Sequence, residues 1–355
     1  MLKNRRTRLE PFFEDHALEG ILFTDLKNIR YLSAFTGSDG ALLLTRDTAW
    51  FLCDSRYITQ ARDEVVADEI IEYQVKFEAI CSLIRDRNIR RLGFEASRTV
   101  VSDFRKMTER LTECDLVGIG TSLDSIRSCK DGDEIALLGE IAQLASASLM
   151  TTLAILKPGI RESDIALELE IEMRRRGADA RAFDFIVASG DRGALPHGRA
   201  TDRVIGPGDM VTIDFGAVMH GYHSDETVTV ATGSPDARCC EIHSIVREAH
   251  DRAIAAVRPG ISCRELDAVA RDYIRLQGYE EYFGHGLGHG VGLDIHEKPV
   301  ISPRSDSVVE EGMVFTIEPG VYIPGFGGVR IEDTVAVTSD GCSILTAAPK
   351  EFMLL

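Results

Sequence analysis

Among the eight cysteines of this 355-residue chain there is no CxxC pair and no regular spacing, and the adjacent Cys239 and Cys240 cannot easily bridge each other. A disulfide scaffold is therefore excluded, and reduced thiols in a cytoplasmic protein are expected. Basic residues are also short: 40 Lys and Arg against 57 Asp and Glu leave a net charge of −17. That balance excludes nucleic acid as the partner, because phosphate binding needs a basic face. No run of 18 apolar residues occurs, so no membrane span is expected. The segment 1–20 carries Lys3, Arg5, Arg6, Arg8 and Glu10 without an apolar stretch or a small-residue cleavage site, so it does not read as a secretory signal. The HExxH helix of zinc proteases is missing too.

The hydrophobic share of 44% and the charged share of 27% are those of a globular protein. The length suits two domains better than one. The first, 1–125, reads as α/β. Short apolar runs at 19–24, 40–45 and 49–53 are strands, and 58–66 and 101–111 are helices. Residues 117–122 look like a strand end leading into a connector. In the second domain, 126–355, a long helix is expected from Asp131 as N-cap, with Glu134 completing a capping box. Its apolar positions Ile135, Leu138, Ile141, Leu144 and Leu149 recur at helical spacing, and Pro158-Gly159 is expected to stop it.

The second domain repeats itself. AILKPGI from Ala154 is matched by AAVRPGI from Ala255, and each precedes a helix ending at a glycine, Gly177 or Gly278, at an offset of 101 (255 minus 154; 278 minus 177). MVTIDFG from Met210 mirrors VFTIEPG from Val314, which aligns Asp214 with Glu318 at an offset of 104 (318 minus 214). DETVTV from Asp225 mirrors EDTVAV from Glu332 at an offset of 107 (332 minus 225). Two equivalent halves are inferred, facing each other across a pseudo-twofold axis and each supplying two carboxylates.

Strand alternation places Thr212 and Asp214 on one face and Val211, Ile213 and Phe215 on the other. Likewise Asp225, Thr227 and Thr229 share a face, and Arg330 and Glu332 share one while Val329 and Ile331 turn to the core. Downstream lies FGHGLGHGVGLDIHE from Phe283, with His285, His289 and His296 amid five glycines. Alternating glycines let backbone pass close to a site. Four carboxylates (Asp214, Asp225, Glu318, Glu332) and one imidazole (His289) cannot share a pocket without cations. Two divalent ions would balance the four negative charges, which points to a two-metal hydrolase.

A resemblance follows from these strings. IVASG at Ile186, LPHG at Leu195, GDMVTIDFG at Gly208, GYHSD at Gly221, the histidine stretch, EGMVFTIEPG at Glu311 and VRIED at Val329 together resemble the pita-bread metallopeptidases. The branch is that of Xaa-Pro aminopeptidases (aminopeptidase P) and Xaa-Pro dipeptidases (prolidases). IRSCK at Ile126 with DEIALL at Asp133, and NIRYL at Asn28 with FTG at Phe35 and DSRY at Asp54, extend the likeness to the creatinase/prolidase-type N-terminal domain. The fold so implied is α/β (α+β): that domain followed by a pita-bread domain with a pseudo-twofold repeat.

The resemblance also implies roles. Asp214 binds one metal through both oxygens, Asp225 and Glu332 bridge the pair, and His289 and Glu318 complete the other shell. A hydroxide between the metals attacks the scissile carbonyl, and Glu318 shuttles the proton to the departing nitrogen. His197 and His296 hydrogen-bond the substrate carbonyl and the oxyanion, Arg330 steadies carboxylates and substrate, and His285 lines the cleft. Oxygen-rich ligation suits Mn2+, with Co2+ or Zn2+ as other choices. The implied substrates are peptides with proline second, and the implied assembly is a homodimer.

One departure stands out: the family commonly has Thr-Arg-Thr where this chain has Thr227, Val228 and Thr229. Alternation turns Val228 away from the metals, so the ligands should survive while an ion pair behind the strand is absent. Other readings are a methionine aminopeptidase, a metal-free creatinase-like hydrolase and a non-catalytic peptide-binding protein. The extra N-terminal domain and LPHG speak against the first. All five ligand residues are present, which speaks against the other two.

Overall fold

A computed structural model describes residues 2–355. One compact unit ends at Arg127 and a second spans Ser128–Leu355.

In the first unit, β1 (Gly20–Phe23), β2 (Ala41–Leu44), β3 (Ala49–Cys53), β4 (Glu69–Glu72), β5 (Arg91–Glu95) and β6 (Asp115–Ile119) form one mixed sheet in the order β4-β3-β2-β1-β5-β6. The continuous apolar runs of β1, β2 and β3 are buried throughout, as expected of strands covered on both faces. The helix Lys76–Asp86 contributes Ile80, Cys81, Leu83 and Ile84 to the core beside this sheet. β4 escapes the sequence reading because its EIIE run is polar at both ends and only partly buried at an edge. The expected strand end at 117–122 divides: β6 stops at Ile119, and a 3-10 turn, Thr121–Arg127, buries Leu123 and Ile126. The Tyr31 hydroxyl donates to the Ile126 carbonyl at 2.9 Å and so fastens that turn.

The second unit opens with the helix Gly132–Leu153, capped by Asp131 and Glu134 in a reciprocal box. It ends at Leu153, five residues before Pro158, where the Ala154 and Ile155 N–H groups turn to the carbonyls three residues back, Thr151 and Thr152. By length and composition alone this helix is long and apolar enough to cross a membrane. Its polar groups, however, are committed inside the unit: Ser146 Oγ donates to Glu226 at 2.5 Å, Gln143 to the Leu345 carbonyl at 2.7 Å, and the Tyr222 hydroxyl reaches Glu134 at 2.8 Å.

The strands that follow are β7 (Ala180–Arg181), β8 (Ile186–Ser189), β9 (Met210–Phe215), β10 (Ala217–Met219), β11 (Tyr222–His223), β12 (Glu226–Ala231), β13 (Gly288–Gly290), β14 (Glu297–Ile301), β15 (Val314–Ile317), β16 (Gly320–Ile323), β17 (Gly327–Arg330), β18 (Asp333–Val337) and β19 (Cys342–Ile344). They assemble as β11-β10-β7, β12-β9-β8, β14-β13-β15-β18-β19 and β16-β17. The antiparallel pair β9/β12 is the counterpart of β15/β18.

The repeat is visible in the backbone itself. Gly159 N–H reaches the Ile205 carbonyl and Gly260 N–H the Val309 carbonyl, both at 2.9 Å. Gly177 and Gly278 both end helices in the left-handed region, at φ 108° and 85°, where a side chain would be strained. The helices Glu162–Arg175 and Cys263–Leu276 are the matching pair, and the latter packs Leu266, Ala270 and Ile274 into the core with Phe315, Val329 and Ile331.

Candidate active site

Only three of the nine residues singled out from sequence sit within strands, Arg330 at the end of β17 being one of them. Asp214 lies in β9 and His289 in β13, whereas Asp225 immediately precedes β12, Glu318 immediately follows β15 and Glu332 immediately precedes β18. Strand ends leave room for side chains to converge. Val211, Ile213 and Phe215 are fully buried behind β9, and Val329 and Ile331 join the core, so the polar partners of each turn to one cavity as alternation requires. The cavity, of about 530 Å3, is lined by Asp214, Asp225, His289, Glu318 and Glu332 together with His197, His285, His296 and Arg330.

The glycines of the histidine stretch have a steric reason. A Cβ at Gly288 would stand 1.9 Å from the Thr316 carbonyl oxygen, and one at Gly290 would stand 2.2 Å from that of Lys298. Only glycine lets β13 lie between β15 and β14 and hold His289 over the acids. Thr316 joins the two sides, accepting the His289 N–H and donating its hydroxyl to Glu318 Oε1, each at 3.1 Å. The loop bearing His296 is anchored by Glu297, whose carboxylate meets Lys130 at 2.8 Å in a buried ion pair. The loop bearing His197 is held at its base by Glu162, which accepts from Ser189 and from the Thr201 backbone and hydroxyl.

Asp225, His289 and Glu332 each offer one donor atom, all within 4.8 Å of one another. Glu318 Oε1 lies 3.4 Å and Asp225 Oδ2 3.6 Å from His289 Nε2. Asp214 is turned toward Arg330, its Oδ2 accepting from the guanidinium at 2.5 Å, while its Oδ1 is buried with no hydrogen-bond partner. His289 Nδ1 lies 3.1 Å from the Gly290 carbonyl, so that nitrogen carries the hydrogen. Burial holds the His289 pKa below its usual value, which keeps the ring neutral and leaves the Nε2 lone pair facing two carboxylates.

Electrostatics say the same. Burial, then the neighbouring Glu332 and Asp214, push the Asp225 carboxyl well above the usual carboxylate range. Glu332 is likewise raised by burial and by Glu318 and Asp214, and Glu318 is raised chiefly by burial. Burial disfavours the Arg330 charge, yet Tyr322, Asp214 and Glu318 beside it hold it protonated. One guanidinium cannot neutralise four carboxylates. A lone pair, an orphaned carboxylate oxygen and mutually repelling acids are a donor set suited to divalent cations and to little else.

The chain matches the model described as metallopeptidase family M24 over residues 136–339. The chain belongs to metallopeptidase family M24. Residues 5–129 match the creatinase/prolidase N-terminal domain. A solved chain described as Xaa-Pro dipeptidase from Bacillus anthracis is 42% identical, with full coverage of both chains and a TM-score of 0.98. An X-Pro aminopeptidase structure from Thermotoga maritima is 37% identical, covering 98% of this chain and 100% of its own, at a TM-score of 0.90. The Xaa-Pro dipeptidase of Pyrococcus furiosus is 37% identical over 358 residues, 99% of this chain and 100% of the relative.

This M24 chain is thus a peptidase-family protein with the mixed α/β N-terminal domain and the pita-bread repeat anticipated above. Sequence reasoning missed two of its site residues, Thr316 and Tyr322, and gave a third, Thr227, a place on the polar face but no role. Thr227 donates its hydroxyl to Glu332 Oε2 at 2.6 Å and accepts from Arg330 Nε at 3.1 Å. Thr316 has been described. Tyr322 accepts from Arg330 at 2.9 Å and lies 2.9 Å from His285 Nε2, and burial pushes its phenol up to about 12. A usable signal existed: Val321 and Ile323 are core residues of β16, so Tyr322 must face the cavity with Gly320. The room for its ring is made by Gly328, directly opposite in β17. Val228 is buried opposite Ile213, away from the cavity.

Proposed function

We propose that this chain is an exopeptidase that cleaves Xaa-Pro bonds with two divalent cations, and that Xaa-Pro dipeptides are its substrates. The observation that carries the metal assignment is the neutral His289 with its Nε2 lone pair aimed at Asp225 and Glu318, beside the partnerless Asp214 Oδ1. Asp214, Asp225, His289, Glu318 and Glu332 would hold the ions, and the oxygen-rich set favours Mn2+ or Co2+, with Zn2+ also accommodated. Bound there, divalent cations supply Lewis acidity that polarises a carbonyl and lowers the pKa of water.

The remaining roles belong to side chains. Glu318, whose proton affinity is raised by burial and whose Oε1 is fixed by Thr316, carries the proton to the departing proline nitrogen. His197 and His296 donate to the scissile carbonyl oxygen as charge develops on it. Arg330 fixes Asp214, Thr227 and the Pro196 carbonyl at once, and so sets the distance between the His197 loop and the acids. The Tyr322 hydroxyl donates to His285 and orients that ring at the cleft wall, because His285 Nδ1 is engaged at the Gly286 carbonyl.

Proline selectivity and the dipeptide preference rest on the Xaa-Pro dipeptidases of Bacillus anthracis and Pyrococcus furiosus. The Thermotoga maritima aminopeptidase favours a second reading, release of the first residue from longer Xaa-Pro peptides. A cytoplasmic homodimer belongs to the proposal on family resemblance alone, and analytical ultracentrifugation tests its dimeric part.

The deciding assay offers Ala-Pro, Ala-Pro-Ala and Met-Ala-Ser to the purified protein with Mn2+ and separates products by mass. Hydrolysis of Ala-Pro, lost on chelation and restored by Mn2+ or Co2+, is the expected result. Turnover of Met-Ala-Ser alone would refute the substrate class. Ala-Pro cleavage that survives thorough chelation would refute the metal.

A further inference from the structure

Behind the cavity lies a second set of charges that no step above uses. β12 and β18 each begin one residue after a candidate bridging ligand, Asp225 and Glu332. Alternation therefore turns Glu226 and Asp333 to the side of the strands opposite those ligands. Both are almost fully buried, at 1% and 4% exposure, and two buried carboxylates without a cation would be costly. Lys350 meets them both: its Nζ lies 2.6 Å from Glu226 Oε1 and 3.2 Å from Asp333 Oδ1. The other oxygens face Ser146, which donates to Glu226 Oε2 at 2.5 Å, and His250, whose Nε2 lies 3.1 Å from Asp333 Oδ2; Thr346 donates to the same Asp333 Oδ1 that Lys350 meets, at 2.5 Å. Val228, on the same face of β12 as Glu226, brings no charge of its own, so the cation comes from the far end of the chain instead.

The segment that carries Lys350 is fastened at both strands. Leu345 N–H donates to the Thr334 carbonyl of β18 at 2.9 Å, and further on Ala231 N–H of β12 donates to Met353 at 2.9 Å. β12 and β18 meet at the seam between the two halves. There Thr227 bridges to Glu332, and the Thr334 hydroxyl donates to the Asp225 carbonyl at 2.8 Å. A displacement of either strand moves a candidate bridging carboxylate with it.

We propose that Lys350 is a positioning residue: by pairing with Glu226 and Asp333 at once it sets the spacing of Asp225 and Glu332, and through that spacing the affinity for metal. The inference rests on the reading of Asp225 and Glu332 as metal ligands. It has a sign that a purely electrostatic role lacks. Removing a positive charge from behind the site would by attraction alone tighten cation binding, whereas loss of positioning weakens it.

The test is calorimetric titration of the metal-stripped full-length protein with Mn2+, with melting curves recorded in parallel and titrations run well below each melting temperature. Lys350→Met is expected to weaken Mn2+ binding about tenfold or more in protein that remains folded. Thr346→Val, a milder change at the same carboxylate, is expected to weaken it about threefold, or roughly 0.6 kcal/mol, and keeps the inference testable should Lys350→Met fail to fold. Unchanged or tighter Mn2+ binding in either folded variant, with only the melting temperature lowered, overturns the positioning role and leaves the proposed function standing. A wild-type protein that takes up no Mn2+ overturns both.

Discussion

The two halves of the second unit share a backbone plan and differ in what they bury. In the first half Ala142, Leu149 and Ala188 are fully buried. At an offset of 101 the second half has His243, His250 and His289 in their places (142 + 101, 149 + 101, 188 + 101). Each half contributes two carboxylates to the cavity, Asp214 and Asp225 from one, Glu318 and Glu332 from the other. The twofold plan thus supplies negative charge symmetrically. The groups with a proton or lone pair to use, together with Arg330, come from the second half, with His197 the exception. On the proposed function, duplication builds the cation trap and asymmetry makes it chemically directional.

That comparison breaks most visibly at the aligned pair Asp214 and Glu318. Both are proposed ligands, but only Glu318 is assigned the proton. Glu318→Ala is expected to lower kcat/KM by roughly a thousandfold or more without recovery in excess Mn2+, while Asp214→Ala recovers part of its loss. Steady-state kinetics across an Mn2+ series decide it; equal, fully rescued losses would mean the halves are chemically interchangeable. A smaller effect follows from giving the second half the residue of the first. His289→Ala should weaken Mn2+ binding about a hundredfold, the upper end of what losing even an outer partner of a metal ligand costs, and titration of the stripped protein would show it. Unaltered affinity would remove His289 from the metal site.

The smallest effect touches stability instead of turnover. Burial lowers the His243 pKa to about 4 from the usual 6.5 of an imidazole. Between those values the unfolded chain binds the proton and the folded chain does not. Stability contributed by the neutral ring is therefore complete above about pH 6.5 and lost as pH falls toward 4. The loss amounts to at most about 3 kcal/mol. Urea unfolding of the wild type and of His243→Leu from pH 7 to 4 measures it, and parallel pH profiles for the two proteins would contradict the assignment. Ala142, the first-half counterpart, has nothing to titrate.

Much of this was legible in the chain before any coordinates. The offsets of 101, 104 and 107 announced two halves, and strand alternation put Asp214, Asp225, Arg330 and Glu332 on the polar side of their strands. The glycines around His289 signalled a close approach, and the structure supplies its partners in the Thr316 and Lys298 carbonyls. Legibility failed where a contact joins distant segments. Tyr322 needed the register of β16 against β17 to become a neighbour of Arg330. The edge strand β4 had no periodic signal because it is only partly buried. The helix from Gly132 ends before its proline stop, since its last turn tightens to bonds three residues back, from Ala154, Ile155 and Leu156 to Thr151, Thr152 and Leu153.

By itself, the sequence determined which residue types stand at strand ends, in what alternation and at what repeat, because period-two geometry and glycine's missing Cβ are local properties. Only the tertiary structure decided that Asp214 leans on Arg330, that His289 carries its hydrogen on Nδ1, and that Lys350 reaches both Glu226 and Asp333. Those facts depend on contacts between separate segments, 116 residues apart for Asp214 and Arg330 and 124 for Glu226 and Lys350, or on which neighbour competes for a proton, and no local pattern encodes either.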